Sequence, residues 1–299
     1  MTGRLRSLMP LIVAATGIAL FSLMDAALKS ASLAVGVYTA LLLRCAVGAA
    51  VMLPVWLARG GTLPRGRTLR LHALRSSVVA CMAPLFFWGL VRMPMAEALA
   101  LSFIAPLIAL YLASILLHER IHPSAVVASL FGLAGVIVIA LGRFGEEDEA
   151  HTSLAGVVAV LASAVFYAWN LVLQRQQALV AGPADIALFQ SLFVGLLFLP
   201  WAPWLFVRPD SGASIDIALG GMLSIGSLML LSWGYARAEA QALIPVEYTG
   251  FLWAALFGWI WFAEPLTPAT LAGAALIIGG NWIAARKPAV PARSGPPAP

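Results

Sequence analysis

The sequence predicts an all-α integral membrane protein of ten transmembrane helices, arranged as two inverted five-helix repeats. Three observations lead there. Of the 299 residues, 62% are hydrophobic and only 10% charged, against about 25% charged in ordinary soluble domains. A water-soluble fold has no interior large enough for that much apolar surface, whereas a bilayer can cover it. Next, ten apolar runs approach the ~20 residues needed to cross about 30 Å of hydrocarbon at ~1.5 Å per residue. Finally, the chain repeats itself. A shift of 145 residues lays Trp88-Gly89 on Trp233-Gly234, Arg92 on Arg237, Glu119 on Glu264, Pro123 on Pro268 and Gly135 on Gly280. Composition alone explains apolar matches; it does not explain Trp-Gly, Arg, Glu and Pro keeping one register.

The runs of the first repeat, 6–142, are 9–28, 37–57, 75–92, 95–117 and 124–142. Those of the second, 152–287, are 153–173, 186–206, 214–235, 241–262 and 267–285. The first run follows Arg4 and Arg6 and imitates a secretory signal, with Ser30-Ala31-Ser32 as a loose cleavage site. Its length, its Asp25 and its match to 153–173 make it a retained span instead. Strand-like alternation is absent, and a bilayer admits only helices or a closed barrel, so the runs read as helices joined by short turns. Pro84, Pro106 and Pro245 are expected to interrupt their helices and free carbonyls. Asp25 and Lys29, four residues apart, read as a pair on one helix face that anchors a span end. Cys45 and Cys81 read as small core residues rather than a disulfide framework. The tail 288–299, rich in Pro, Ala, Ser and Gly, is expected to be disordered.

Charge placement sets the orientation. With the N-terminus in the cytoplasm, thirteen of the eighteen Lys and Arg residues fall on the inner side, including the cluster Arg59, Arg65, Arg67, Arg70 and Arg75. Four fall outside (Lys29, Arg92, Arg143, Arg208), and Arg44 lies within a span. Both termini are therefore expected in the cytoplasm, with the acidic loop 146–149 outside. Five spans per repeat force the second copy to enter upside down. Inverted repeats of this kind place a substrate site near the midplane, where the halves meet. The pI near 9.7 does not point to nucleic acid, because the basic residues sit in gaps between apolar runs and suit lipid headgroups.

The sequence resembles the drug/metabolite transporter superfamily, and within it the ten-helix EamA-type carriers, over about 280 residues. The resemblance is carried by Pro94-Met95-Ala96-Glu97-Ala98 leading into Phe103-Ile104-Ala105-Pro106, then His118-Glu119-Arg120. In the second copy it is carried by Ala242-Leu243-Ile244-Pro245, Gly258 and Phe262-Ala263-Glu264-Pro265. Arg44 looks like the second-span arginine common in that family. The resemblance implies a bacterial inner-membrane carrier exporting amino acids, aromatic or large neutral ones first. The alternative it implies is a carrier of riboflavin or S-adenosylmethionine, since Asp25 and Lys29 are similar to residues of nucleotide-like-cofactor carriers.

Polar residues without an equal in the other repeat are the better candidates for binding, because a single substrate has no two-fold symmetry. Arg44 faces Phe189 at the repeat offset, and Glu247 faces Ser102. A charge at a helix centre costs about 2.5–3.5 kcal/mol, so each should face a cavity or a partner. Glu247 then meets a substrate ammonium or carries a coupling proton, and Arg44 meets a carboxylate. The plainer reading is that both lock helices together through Glu97, Asn170 or carbonyls. Among the aromatics, Trp88, Phe103, Trp169 and Tyr248 are expected along the pathway; others belong to headgroup belts. With Asn170, the mate of Asp25, these are the candidate substrate-binding residues.

An enzyme reading has one motif. His118-Glu119-Arg120-Ile121-His122 matches H-E-x-x-H, which binds zinc when both histidines lie on one helix face. Here the match falls at a predicted turn before Pro123, and the second copy, Ala263-Glu264-Pro265-Leu266-Thr267, drops both histidines. Catalytic residues, metal and cofactor are therefore not expected. Lys29 and Lys287 are the only lysines and neither follows glycine, so a Walker-A loop is absent. Transport must run down a gradient or couple to an ion, most simply H⁺. A non-transporting membrane scaffold has no feature in its favour.

Overall fold

The computed structural model describes residues 2–93, 95–117, 123–143, 154–263 and 268–286. The helices are α1 (Thr2–Val35), α2 (Val37–Ala58), α3 (Gly66–Leu90), α4 (Met95–Ser102), α5 (Ile104–Leu116), α6 (Pro123–Arg143) and α7 (Leu154–Ala178). There follow α8 (Pro183–Phe198), α9 (Ala202–Leu205), α10 (Ser211–Arg237), α11 (Ala240–Leu243), α12 (Thr249–Phe262) and α13 (Pro268–Arg286). A 3₁₀ turn over Leu199–Trp201 links α8 to α9, and another over Ile244–Tyr248 links α11 to α12. Among the described residues, seven spans are long and apolar enough to cross a membrane, and three shorter apolar helices lie at Ile104–Leu116, Pro123–Gly135 and Leu271–Gly280. His118–His122, the 146–149 loop and the tail 288–299 lie outside the described residues.

The surface is inverted relative to a soluble protein. Leu63, Leu141, Leu154 and Trp204 are each more than 60% exposed, while Arg75 and His72 are at most 1% exposed. Large apolar side chains outside and charged ones inside are what hydrocarbon solvent selects. The chain is a multi-pass membrane protein.

The main packing pairs are α1 with α10, α3 with α7, α2 with α8 and α6 with α13; α12 lies on α1, and α5 on α7. The duplicated Trp-Gly-x-x-Arg text builds the same device at two helix ends. Arg92 lies over the Trp88 ring at 3.7 Å and donates to the Trp88 carbonyl at 2.7 Å. Arg237 lies over Trp233 at 4.0 Å and donates to its carbonyl at 3.2 Å. Each arginine satisfies a terminal carbonyl and places its cation on a ring face. The adjacent glycine lets a neighbouring helix close in: a Cβ on Gly89 would sit 2.8 Å from the Gly156 carbonyl oxygen of α7, and one on Gly234 would sit 3.3 Å from that of Pro10 in α1. Without a hydrophobic drive between helices in lipid, such close approach is a main source of association.

Gly89→Ala should therefore destabilise the protein. The methyl group meets backbone that cannot swing away, at about 1–3 kcal/mol, more than the ~0.5–1 kcal/mol gained in helix propensity. Gly279→Ala, with nothing within 4 Å of the new Cβ, should be neutral or slightly stabilising. Thermal unfolding in detergent checks this; equal midpoints for the two variants would contradict it.

Several expectations are corrected. α3 begins at Gly66 and runs unbroken through Pro84, so Arg75 is not a loop cation but a buried residue two turns inside a helix. Pro106 and Pro245 do mark breaks. One falls at Phe103, between α4 and α5, and the other is the 3₁₀ segment Ile244–Tyr248. Asp25 and Lys29 are both buried, and Lys29 Nζ donates to the Met93 carbonyl at 3.1 Å instead of anchoring a span end in the headgroups. Cys45 is buried, whereas Cys81 is exposed on the outer face of α3, because its turn of the helix points away from the bundle.

Candidate functional site

A central cavity lies where the two helix breaks meet α1, α2, α3, α7, α8 and α10. The breaks touch each other: the Tyr248 hydroxyl donates to the Phe103 carbonyl at 3.4 Å, and their rings lie 5.2 Å apart. Interrupted helices at membrane depth are tolerated where their freed backbone groups are buried in protein or line a cavity. Here they line one, through Leu99, Ser102 and Phe103 on one side and Glu247 and Gly250 on the other.

The remaining walls come from helical stripes. α1 contributes Ile18, Phe21, Ser22 and Asp25; α7 contributes Ser163, Tyr167, Asn170 and Gln174. Spacings of three and four residues put each set on one helix face. Phe86 and Phe87 of α3 add aromatic surface, and Arg44 and Gln190 project from α2 and α8.

Two buried polar clusters are fixed in the wall. Glu247 accepts from Tyr167 through Oε2 at 2.6 Å and from Tyr235 through Oε1 at 3.2 Å. The Arg175 guanidinium donates to the Tyr235 carbonyl. These bonds tie the second break to α7 and α10. In the other cluster, Arg75 donates through Nε to Asn170 Oδ1 at 2.9 Å, through Nη1 to Gln177 Oε1 at 2.7 Å and through Nη2 to Gln174 Oε1 at 2.8 Å. Gln177 Nε2 lies 2.6 Å from His72 Nδ1, extending the network along the α3–α7 contact.

Of the sequence-predicted residues, Glu247, Phe103, Asn170 and Arg44 line the cavity. Tyr248 is fully buried behind it, against Gly132, where a Cβ would sit 2.5 Å from its ring. Trp88 and Trp169 are 37% and 40% exposed and are absent from the cavity wall. Trp88 serves the helix end under Arg92, and Trp169 lies about 100° round the helix from Asn170, on the outward face. Asp25, which reads from the sequence as a span-end anchor, also lines the cavity, as do Arg75, Tyr167 and Gln174, which are not among the sequence candidates. The α7 members were legible as Ser163-x₃-Tyr167-x₂-Asn170-x₃-Gln174, a polar stripe at helical spacing in apolar text.

A largely apolar cavity that carries a few buried charges at the heart of a helical membrane bundle is the arrangement of a membrane carrier. The chain belongs to the EamA-like transporter family, whose sequence profile matches residues 8–141 and again 154–286. An uncharacterized transporter of Helicobacter pylori is 27% identical over 178 residues, 58% of this chain and 59% of the relative. The pseudopaline exporter of Pseudomonas aeruginosa is 26% identical over 263 residues, 86% of this chain and 89% of the relative. A Streptantibioticus cattleyicolor protein named "Probable terminal-alkyne amino-acid exporter" is 27% identical over 75% of each chain. A riboflavin transporter of Brucella anthropi is 24% identical, over 77% of this chain and 81% of the relative. A crystal structure at 24% identity superposes with a TM-score of 0.77 over 92% of this chain and 97% of the other, which establishes the fold.

Proposed function

We propose that this transporter is a bacterial inner-membrane exporter of amino acids or related small amphipathic metabolites, aromatic or large neutral ones first. It works by alternating access and has both termini in the cytoplasm. The observation that carries the reading is the cavity itself, in which the phenyl rings of Phe21, Phe86, Phe87 and Phe103 share one wall system with Asp25, Arg44 and Glu247. An amphipathic zwitterion needs both kinds of surface. Arg44 supplies a cation for a carboxylate, and Glu247, held by two phenols, supplies a site for a coupling proton. The exporters named above for an amino acid and for pseudopaline favour this class; the riboflavin transporter keeps riboflavin as the second reading.

The inverted-repeat arrangement is part of the proposal. With α4–α5, α8–α9 and α11–α12 each taken as one crossing, ten crossings divide into units 6–142 and 152–287. Exchanging the units by the 145-residue shift turns the α1–α10 contact into α7–α3, α1–α12 into α7–α5 and α2–α10 into α8–α3, while α2–α8 and α6–α13 map onto themselves. A pairing scheme unchanged by the exchange is what a two-fold axis between the units produces.

Purified protein in liposomes should move labelled phenylalanine or leucine faster than empty liposomes do. Flux of riboflavin alone would overturn the amino-acid reading, and flux of none would overturn the carrier reading. In the same vesicles, cysteines placed in loops 59–65 and 206–210 should be labelled from opposite faces.

A further inference from the structure

We propose that Asp25 is the carboxylate that receives the ammonium group of the transported molecule. The inference rests on the carrier reading and assigns its cation site. Among the described residues, four charged side chains line the cavity: Asp25, Arg44, Arg75 and Glu247. Their hydrogen bonds separate those already engaged from those with capacity left.

Glu247 has both oxygens occupied by phenolic donors, Tyr167 at 2.6 Å and Tyr235 at 3.2 Å. Arg75 spends all three nitrogens on side-chain amides. In both groups every oxygen or nitrogen already holds a bond within its cluster, so a ligand charge there would have to share it. Asp25 differs. It is 2% exposed and lines the cavity, yet its Oδ1 has no hydrogen-bond partner among the described residues. The neighbouring Lys29, one turn along the same face, is directed at the Met93 carbonyl at 3.1 Å and the Phe262 ring at 4.9 Å.

A buried carboxylate oxygen without a donor is unfavourable, and an incoming N⁺–H group relieves it through a charge-assisted bond. Arg44 complements the site. Its charge acts on Asp25, and its Nη1 donates to the Met24 sulfur at 3.6 Å, a weak acceptor. The guanidinium thus retains its fork for a carboxylate. Asp25 and Arg44 together fit a substrate carrying an ammonium and a carboxylate on neighbouring atoms, with its apolar group against Phe21 and Phe103.

The test uses full-length protein in detergent and three probes of one shape: phenylalanine, phenethylamine and 3-phenylpropionate. Wild type should bind phenylalanine and phenethylamine. Asp25→Asn should weaken both by at least about tenfold while leaving 3-phenylpropionate unchanged, and Gly279→Ala, outside the cavity wall, should leave phenylalanine binding within about threefold. Unaltered phenylalanine binding in Asp25→Asn overturns the inference and leaves the carrier reading standing. Binding of phenethylamine with no amino-acid flux overturns the substrate class but not the cation site. Absence of binding by either amine overturns both. Should Asp25→Asn not fold, carbodiimide labelling of wild type, located by peptide mass spectrometry, replaces it. Phenethylamine should protect Asp25, and undiminished labelling of Asp25 would refute the assignment.

Discussion

Arg75→Ala should be among the most destabilising single substitutions in the chain. The guanidinium is the shared donor for Asn170, Gln174 and Gln177, and its removal leaves three amide oxygens at the α3–α7 contact without it. Each orphaned buried acceptor costs about 1–3 kcal/mol. The three do not add fully, because the cavity alongside lets the glutamines turn, so a total near 3 kcal/mol is expected. Arg92→Ala, which removes a stacked cation at a helix end, should cost about 1 kcal/mol. Arg75→Lys should fall between, because an ammonium cannot present three nitrogens in the fixed plane that these amides accept. Melting midpoints in one detergent should follow the order wild type, Arg92→Ala, Arg75→Lys, Arg75→Ala. Coincident melting of Arg75→Ala and wild type would mean that the amide cluster carries no stability.

Glu247→Gln should have the largest effect on transport. An ionised carboxylate is acceptor-only and takes both the Tyr167 and Tyr235 hydroxyls. Once protonated it must donate, so one bond has to reverse or break. Gaining or losing one proton therefore rearranges the contacts among the second break, α7 and α10. Glutamine keeps the shape and abolishes the switch. Flux driven by a pH gradient should drop by about a hundredfold, equivalent to ~2.7 kcal/mol on the limiting barrier. Exchange of labelled for unlabelled substrate at equal pH should survive at reduced rate. Tyr167→Phe, which removes the shorter of the two bonds, should lose about tenfold. A pH-driven flux in Glu247→Gln equal to wild type would remove Glu247 from coupling.

How much of this was legible in the sequence depends on the residue. The helices overlap the apolar runs, because the bilayer makes length and hydropathy strong signals, but α3 begins at Gly66, well before its run at 75, and two runs are broken within. The breaks at Phe103 and Ile244–Tyr248 follow from Pro106 and Pro245, which lack the N–H that would continue the helix. Pro84 does not break α3, since neighbouring helices and local adjustment can satisfy the freed carbonyl inside a bundle. Among the site residues, Glu247, Arg44, Asn170 and Phe103 could be named from polarity or aromaticity in apolar text, and all four reach the cavity. Trp88 and Trp169 could not be sorted from Phe103 by residue type, because lipid-facing and cavity-facing aromatics look alike until each helix's rotation is known. Reading Asp25 as a span-end anchor misled as well: it and its repeat mate Asn170 both line the cavity.

The sequence by itself determined that the chain lives in a membrane, roughly which stretches are helical, and that its text is duplicated. Those properties depend on hydropathy, spacing and register, which are written along one dimension. Only the tertiary structure decided that Arg75 is a buried clamp, that Glu247 is held by Tyr167 and Tyr235, and that one Asp25 oxygen has no partner among the described residues. Whether a polar group is engaged depends on atoms contributed by helices distant in the chain, and no local pattern encodes that rotation.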